Sequence, residues 1–258
     1  MGARSLKPGQ ARFFVGYKKH SLRLWLSAHE STVLLIPLIS WMAPANVPDG
    51  YLLYPSLAQC GRRFHWRPDI VTGDLGYIHQ QTKRDIRQQW QVAVVTKMKS
   101  DMRMVAPFET WKRAVCPQGQ PLEWLGYFAD DQRHWFRVND PQPLCNSCWQ
   151  AVGCERQFSH APAEHETLLG LLPLNTQSAQ QILKRVRSWI EPCQAFEKNL
   201  LGLNQQFLNS LRFTWYVSLL ADAVVLLRAL ALLSDPSLTL SSDDVFPRQI
   251  QLNLNEKS

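Results

Sequence analysis

The composition of this 258-residue chain excludes a disordered protein. It is 45% hydrophobic and 19% charged, which is typical of a globular chain with a full core. The formal net charge is +7, and residues 1–115 hold 17 Lys and Arg against 7 Asp and Glu. We therefore expect a polyanionic partner to bind the first half of the chain.

The sequence around Met1 and the cysteine content predict a cytoplasmic protein. No basic segment followed by an apolar one comes after Met1, so nothing predicts export. Six cysteines in such a chain favour a reducing compartment, with thiols that are free or metal-bound.

Two apolar segments near the start predict a β-hairpin. Residues 13–28 and 31–42 are rich in aromatic and branched side chains, and we expect both to be strands that pair about His29-Glu30. Residues 43–50, APANVPDG, have the composition of a turn.

The next elements predict an α/β fold. Residues 51–60 favour a helix, and residues 69–77 favour a short buried strand that ends at Asp74. A polar, basic helix over residues 79–90 and a buried strand over residues 91–98 follow. Strands separated by helices indicate at least some parallel pairing.

A helix near residue 190 presents a charged face. Its charged residues are spaced to point the same way: Lys184, Arg187, Glu191 and Lys198. An apolar stripe predicted to face the core follows the opposite side: Ile182, Val186, Trp189, Cys193, Phe196 and Leu200. On spacing alone, an ordinary surface salt bridge between Arg187 and Glu191, worth about 0.3–0.5 kcal/mol, is the alternative interpretation.

Four ordered blocks carry a family resemblance. GYKKH (16–20), APANVPD (43–49) and TGDLGY (72–77) are followed by Arg187, Glu191 and Lys198. This series resembles DDE-type transposases of bacterial insertion sequences over most of residues 12–233. The resemblance implies an RNase H-like fold, in which helices flank a mixed sheet and three carboxylates meet at one end. The family's tyrosine is replaced by Lys184.

The resemblance assigns two of the three catalytic carboxylates. Asp74 matches the second aspartate and Glu191 the glutamate, whereas residues 1–12 contain no acidic residue. The implied reaction is metal-assisted phosphodiester hydrolysis and strand transfer on double-stranded DNA at transposon ends, with Mg²⁺ or Mn²⁺ held by Asp74 and Glu191. We therefore expect a truncated and impaired transposase that forms a homo-oligomer and associates with the nucleoid. The alternatives are a non-catalytic DNA-binding remnant and a nuclease without transposition.

Basic side chains near the expected site are candidates for DNA contacts. Lys184, Arg187 and Lys198 lie on the helix of Glu191, and Lys18 and Lys19 lie in the first block. Further cations flank Asp74 and favour phosphate contacts over a merely solvated surface: Arg23, Arg62, Arg63, Arg67, Lys83, Arg84 and Arg87. For Asp74 itself, the alternative interpretation is a turn aspartate that caps the following helix.

Cysteines in residues 99–175 predict either a structural zinc site or free thiols. Cys145, Cys148 and Cys154 follow a lone Cys116, and four such thiols suit a tetrahedral Zn²⁺ site, with His160 or His165 as a replacement ligand. Some transposases of the family resemble this chain here, with a cysteine-containing insertion. The segment has little apolar content of its own, so we expect metal to supply much of its folding free energy.

Residues 207–233 are long and apolar enough to suggest a membrane span. Asp222 and Arg228 lie inside this segment and would each cost about 2.5–3.5 kcal/mol at a bilayer centre, so we expect a buried helix that packs behind the Glu191 helix, and no membrane. The predicted organisation is a core over 1–98, an insertion over 99–175, core helices over 176–233 and a disordered tail over 234–258.

Overall fold

The computed structural model describes residues 2–7, 10–14, 16–29, 32–99, 102, 114–138, 145, 148, 154–199 and 210–234. Within these ranges the chain forms small sheets and four α-helices, which confirms a mixed α/β fold. The strands are β1 (Gly2–Lys7), β2 (Gln10–Phe14), β3 (Tyr17–His29), β4 (Thr32–Pro44), β5 (Ile70–Gly73), β6 (Ala93–Thr96), β7 (Leu122–Phe128), β8 (Arg133–Val138) and β9 (Gln157–His160). The helices are α1 (Gly50–Phe64), α2 (Gln80–Trp90), α3 (Gln177–Asn199) and α4 (Leu211–Ser234).

The predicted hairpin is confirmed as the antiparallel pair β3–β4. Tyr17 lies opposite Pro44 and Trp25 opposite Leu35. The strand begins at Tyr17 rather than residue 13, because the preceding residues pair separately as β1 and β2.

Successive side chains of β3 point to opposite faces of the hairpin. His20 and Leu22 face α1 and the parallel pair: His20 bonds to Tyr77, and Leu22 packs on the core cluster next to β5. Lys19 points the other way, toward α3 and α4. The two faces of β3 thus contact different side chains, although α3 also packs directly on the parallel pair.

The strands β5 and β6 pair in parallel, which confirms the prediction of at least some parallel pairing, although both strands are shorter than predicted. Ile70 lies opposite Ala93 and Gly73 opposite Thr96, and α2 is the crossover between them. A hydrophobic cluster packs beneath the pair, with Leu57 and Ile86 fully buried at its centre. This cluster fixes where β5 ends, and therefore where Asp74 lies.

The two strand pairs belong to separate sheets. Among the described residues, β3 is hydrogen-bonded only to β4 and β5 only to β6. The His20–Tyr77 bond and the contact of Leu22 with the cluster hold them beside each other without strand pairing.

Residues 99–175 contain more structure than the sequence indicated. β7, β8 and β9 form an antiparallel sheet, and the fully buried Phe136 of β8 joins a core cluster with Leu168, Leu169 and Leu174. Ala114, Val95 of β6 and Ala179 of α3 complete the cluster. The expectation that this segment has little apolar content of its own is therefore wrong, because apolar residues dispersed in its sequence pack together in the fold.

The helix α4 differs from its prediction. It packs on β4, but its inward side is mostly small or polar: Thr214, Ser218, Ala221, Asp222, Val225 and Ala229. Large apolar side chains are exposed instead, among them Leu220 and Leu227, each at 67%. The prediction of a buried helix is therefore wrong for most of its surface. The helix is apolar all round, so its sequence did not indicate which side faces inward.

By length and hydropathy, α4 alone among the described helices could cross a membrane, although only 22% of its apolar window is buried against the protein. Its Asp222 is paired with Lys19 on the hairpin. The predicted disordered tail, apart from Ser234 at the end of α4, lies outside the described residues.

Candidate functional site

Asp74 lies at the carboxyl end of the parallel pair. β5 ends at Gly73, and the side chain of Asp74 accepts a hydrogen bond of 2.9 Å from the backbone N–H of Gly76. It therefore caps the 3-10 turn Leu75–Tyr77, as the alternative interpretation of the sequence allowed. The residue is exposed, so the cap leaves it open to solvent at an edge where open α/β sheets bind their ligands.

A second carboxylate, Asp49, lies next to Asp74. A Cβ added to Gly76 would clash with Asp49 Oδ2 and lie 3.1 Å from Asp74 Oδ1. Glycine at this position lets both carboxylates approach one backbone segment. Asp49 precedes α1 and is bound by Lys18, with 2.7 Å between Nζ and Oδ1. The sequence placed Asp49 in a family block but gave no indication that it lies beside Asp74.

A buried histidine and a partly buried tyrosine lie beside these carboxylates. His20 Nδ1 is 2.9 Å from the hydroxyl of Tyr77, and His20 Nε2 is 3.6 Å from Asp49 Oδ1. Burial lowers the pKa of His20, although the two nearby carboxylates oppose this shift. Burial and the same carboxylates raise the pKa of Tyr77 above its usual range. Both groups are therefore neutral near pH 7.

The charged face of α3 is exposed. Lys184, Arg187, Glu191 and Lys198 are all exposed, and Arg187 Nε bonds to Glu191 Oε1. The apolar stripe is only partly buried: Ile182, Val186, Cys193 and Phe196 are intermediate, and Trp189 is 38% exposed. Leu200 lies outside the described residues. The face is thus available to an anionic ligand, with Glu191 held in a surface ion pair.

Asp74 and Glu191 lie in different surroundings. Asp74 bonds to its own turn and Glu191 to Arg187 on its own helix. In the described ranges, no group of three His, Cys, Asp or Glu side chains is placed to hold a metal ion. Each carboxylate reaches solvent and has oxygen ligands of the kind that Mg²⁺ prefers.

Lys18 and Lys19, both predicted to contact DNA, point to opposite faces of β3. Lys18 binds Asp49 near Asp74 and is partly exposed. Lys19 Nζ lies 2.7 Å from Asp222 Oδ1 and 3.0 Å from Glu197 Oε1, between the hairpin and the two C-terminal helices. One DNA duplex would therefore not meet both side chains on the same face of the strand.

Arg23 completes this internal charge network. Its guanidinium bonds to Glu197 and to the thiol of Cys193, and Arg23 and Glu197 are 4% and 5% exposed at their side chains. Two cations meet two anions, so the cluster is neutral as a whole. The sequence placed these cations among the phosphate contacts because basic residues look alike before their faces are known.

Two cations of α2 are likewise directed inward. Arg87 makes two hydrogen bonds of 2.8 Å to the fully buried Glu166. Lys83 Nζ donates to the carbonyl of Thr167 at 2.7 Å, and burial lowers its pKa from 10.5 to about 7. These contacts join α2 to the loop before α3 and leave neither cation available for phosphate.

The four predicted zinc ligands converge. Cys116, Cys145, Cys148 and Cys154 all line one cavity of about 40 Å³, and all are free thiols. The replacement ligands have other partners: His160 bonds to Glu164 and His165 to Thr167.

Comparisons with models of protein families, with curated proteins and with solved structures found no match to this chain.

Proposed function

We propose that this chain is the catalytic part of a DDE-type transposase with an RNase H-like arrangement, impaired because the first catalytic aspartate is not found in its sequence. The observation that carries the proposal is the position of Asp74. It is an exposed carboxylate directly after the parallel strand β5, at the end of the sheet where ligands collect. Asp49 adds negative charge beside it.

The exposed cations of α3 are the proposed DNA contacts. Lys184, Arg187 and Lys198 share a helix face with Glu191, so phosphate bound there would lie next to this carboxylate. Asp74 and Glu191 have separate partners in this structure. The proposal requires them to come together on Mg²⁺ or Mn²⁺, which would supply Lewis-acid activation of phosphodiester hydrolysis. In this account the protein is cytoplasmic and nucleoid-associated. It acts on double-stranded DNA as a homo-oligomer, and the outer side of α4 offers apolar area for such an interface.

Nicking of supercoiled DNA in Mn²⁺ tests the catalytic part of the proposal. Weak, metal-dependent nicking is expected, and Asp74→Asn and Glu191→Gln should abolish it. Asp69→Asn is the matched control, because this exposed aspartate lies at the opposite end of β5 and should leave nicking unchanged. Nicking that survives Asp74→Asn would contradict the proposal, and nicking without joining of a cut end to target DNA would indicate a nuclease.

A non-catalytic DNA-binding protein is the second candidate. It is favoured by the local partners of the two carboxylates, since Asp74 caps its turn and Glu191 binds Arg187. This candidate predicts salt-sensitive DNA binding that Asp74→Ala leaves unchanged, together with no nicking by any variant. Such a protein would compete with an intact transposase for DNA ends or join it in mixed oligomers.

A further inference from the structure

Strand pairing brings the segments that carry Cys116 and Cys154 to one end of the β7–β8–β9 sheet. Leu122, just after the Cys116 turn, lies opposite Val138 at the end of β8. The N–H of Val138 donates to the carbonyl of Arg156 at 3.0 Å, next to Cys154. Residues distant in sequence thus meet for reasons unrelated to their thiols, and Cys145 and Cys148 line the same cavity.

The turn that holds Cys116 directs a backbone donor at its sulfur. The N–H of Cys116 donates to Gln120 O and the N–H of Gly119 to Cys116 O, both at 2.8 Å. Gly119 has φ +78°, a left-handed conformation that glycine adopts without strain. This closes a tight loop in which the N–H of Gln120 lies 3.3 Å from Cys116 Sγ. A backbone donor to a ligand atom orients that ligand for metal binding.

The size and lining of the cavity suit a single ion. A volume of about 40 Å³ is far below the roughly 300–1,000 Å³ of organic ligand sites. Four thiols satisfy the tetrahedral coordination of Zn²⁺, with Zn–S distances of about 2.3 Å. The described thiols do not yet form a ligand group, so their side chains must turn toward the cavity centre when metal binds.

We infer that Cys116, Cys145, Cys148 and Cys154 bind one structural zinc ion. Binding replaces four S–H protons by four Zn–S bonds, and the protons pass to solvent. The site has no open coordination position, so it stabilises the fold and takes no part in catalysis. It joins the Cys116 turn, Cys145, Cys148 and the start of β9, next to the Phe136 core, since Phe158 both lines the cavity and packs on that core. The inference is independent of the proposed function.

Metal content of the tag-free chain, purified without chelator, tests the inference. We expect about one zinc per chain, and less than a tenth of that in a variant with all four cysteines changed to serine. Cys193→Ser is the matched control, because Cys193 is a half-buried free thiol that contacts Arg23 and does not line the cavity. It should keep its zinc.

The four-serine variant could lose zinc simply because it does not fold, so a second measurement uses the unmutated chain. Metal-free protein titrated with Co²⁺ should develop thiolate-to-metal absorption that saturates at one equivalent and is displaced by Zn²⁺. With zinc bound, these four cysteines should resist alkylation, and a chelator should expose them. Absence of both zinc and the Co²⁺ absorption, or full zinc content in the four-serine variant, would overturn the inference.

Discussion

Two glutamates on α3, six residues apart, allow a direct test of the internal charge network. Glu197 is 5% exposed at its side chain and binds Lys19 and Arg23. Glu191 is 57% exposed and binds Arg187. Changing Glu197 to Gln leaves two buried cations with one remaining anion, Asp222. Removing one partner of a buried ion pair costs about 3–5 kcal/mol, because the other charge stays desolvated.

The exposed pair should contribute far less. An i, i+4 pair on a helix surface is worth about 0.3–0.5 kcal/mol, since water screens it and both side chains lose freedom. We therefore expect Glu197→Gln to lower the free energy of unfolding by about 3 kcal/mol and Glu191→Gln by less than about 0.5 kcal/mol. Urea unfolding followed by circular dichroism measures both. With a urea m-value of about 2–3 kcal/mol/M, the Glu197 variant should unfold at least about 1 M earlier.

Restoring the charge balance provides the control. The double variant Lys19→Met, Glu197→Gln removes one cation and one anion, so it should be more stable than Glu197→Gln alone by about 1–2 kcal/mol. Equal losses for the two single glutamate variants, or no recovery in the double variant, would refute the description of Lys19 and Arg23 as internal structural cations.

Two buried bases give the remaining predictions, both on pH dependence. Burial lowers the pKa of Lys83 to about 7. Between pH 7 and 10.5 the unfolded chain therefore binds more protons than the folded chain. The free energy of unfolding should rise by about 2 kcal/mol from pH 7 to 9 as a result. In urea titrations Lys83→Met should lack that rise, and an identical rise in the variant would contradict the assignment. Burial lowers the pKa of His134 to about 4, so stability present above pH 6.5 should fall by about 3 kcal/mol toward pH 4. His134→Gln should lose less over that range, as measured by Trp fluorescence during acid unfolding, and an equal loss would count against the buried neutral histidine.

The sequence predicted those elements whose signals are local. The hairpin followed from two branched and aromatic segments, and the crossover from a polar helix between two apolar strands. The position of Asp74 after a strand was predicted because Gly73 and Gly76 interrupt the apolar segment. These signals depend on residues within about ten positions of one another.

Charged side chains were harder to place because the direction in which each points depends on the tertiary fold. Lys18 and Lys19 are adjacent and chemically alike, yet one lies near Asp74 and the other between two helices. The sequence does predict that adjacent side chains of a strand point to opposite faces. However, Glu197 and Asp222, the partners of Lys19, are about 180 and 200 residues away from it in sequence. No local pattern could indicate these pairs.

The side of α4 that faces inward was equally hidden. A helix that is apolar nearly all round shows no large-apolar stripe. Here its small and polar side chains face the protein, among them Asp222, which binds Lys19. The cysteine spacing, in contrast, predicted four residues that line a single cavity. Cys145 and Cys148 are close in sequence as a C-x2-C pair. Cys116 and Cys154 join them only through strand pairing between distant segments.

Duplex DNA binding as a function of salt tests the central claim most directly. Three phosphate contacts from Lys184, Arg187 and Lys198 predict that log K falls with log salt at a slope of about −3. Arg187→Ala should reduce that slope by about 1. Arg137→Ala is the matched control, because the two arginines have similar side-chain exposure, 51% and 54%, and each binds one surface glutamate. Anisotropy titrations that show this difference support DNA binding by the α3 face. No binding at low salt, or equal effects of the two substitutions, would contradict it.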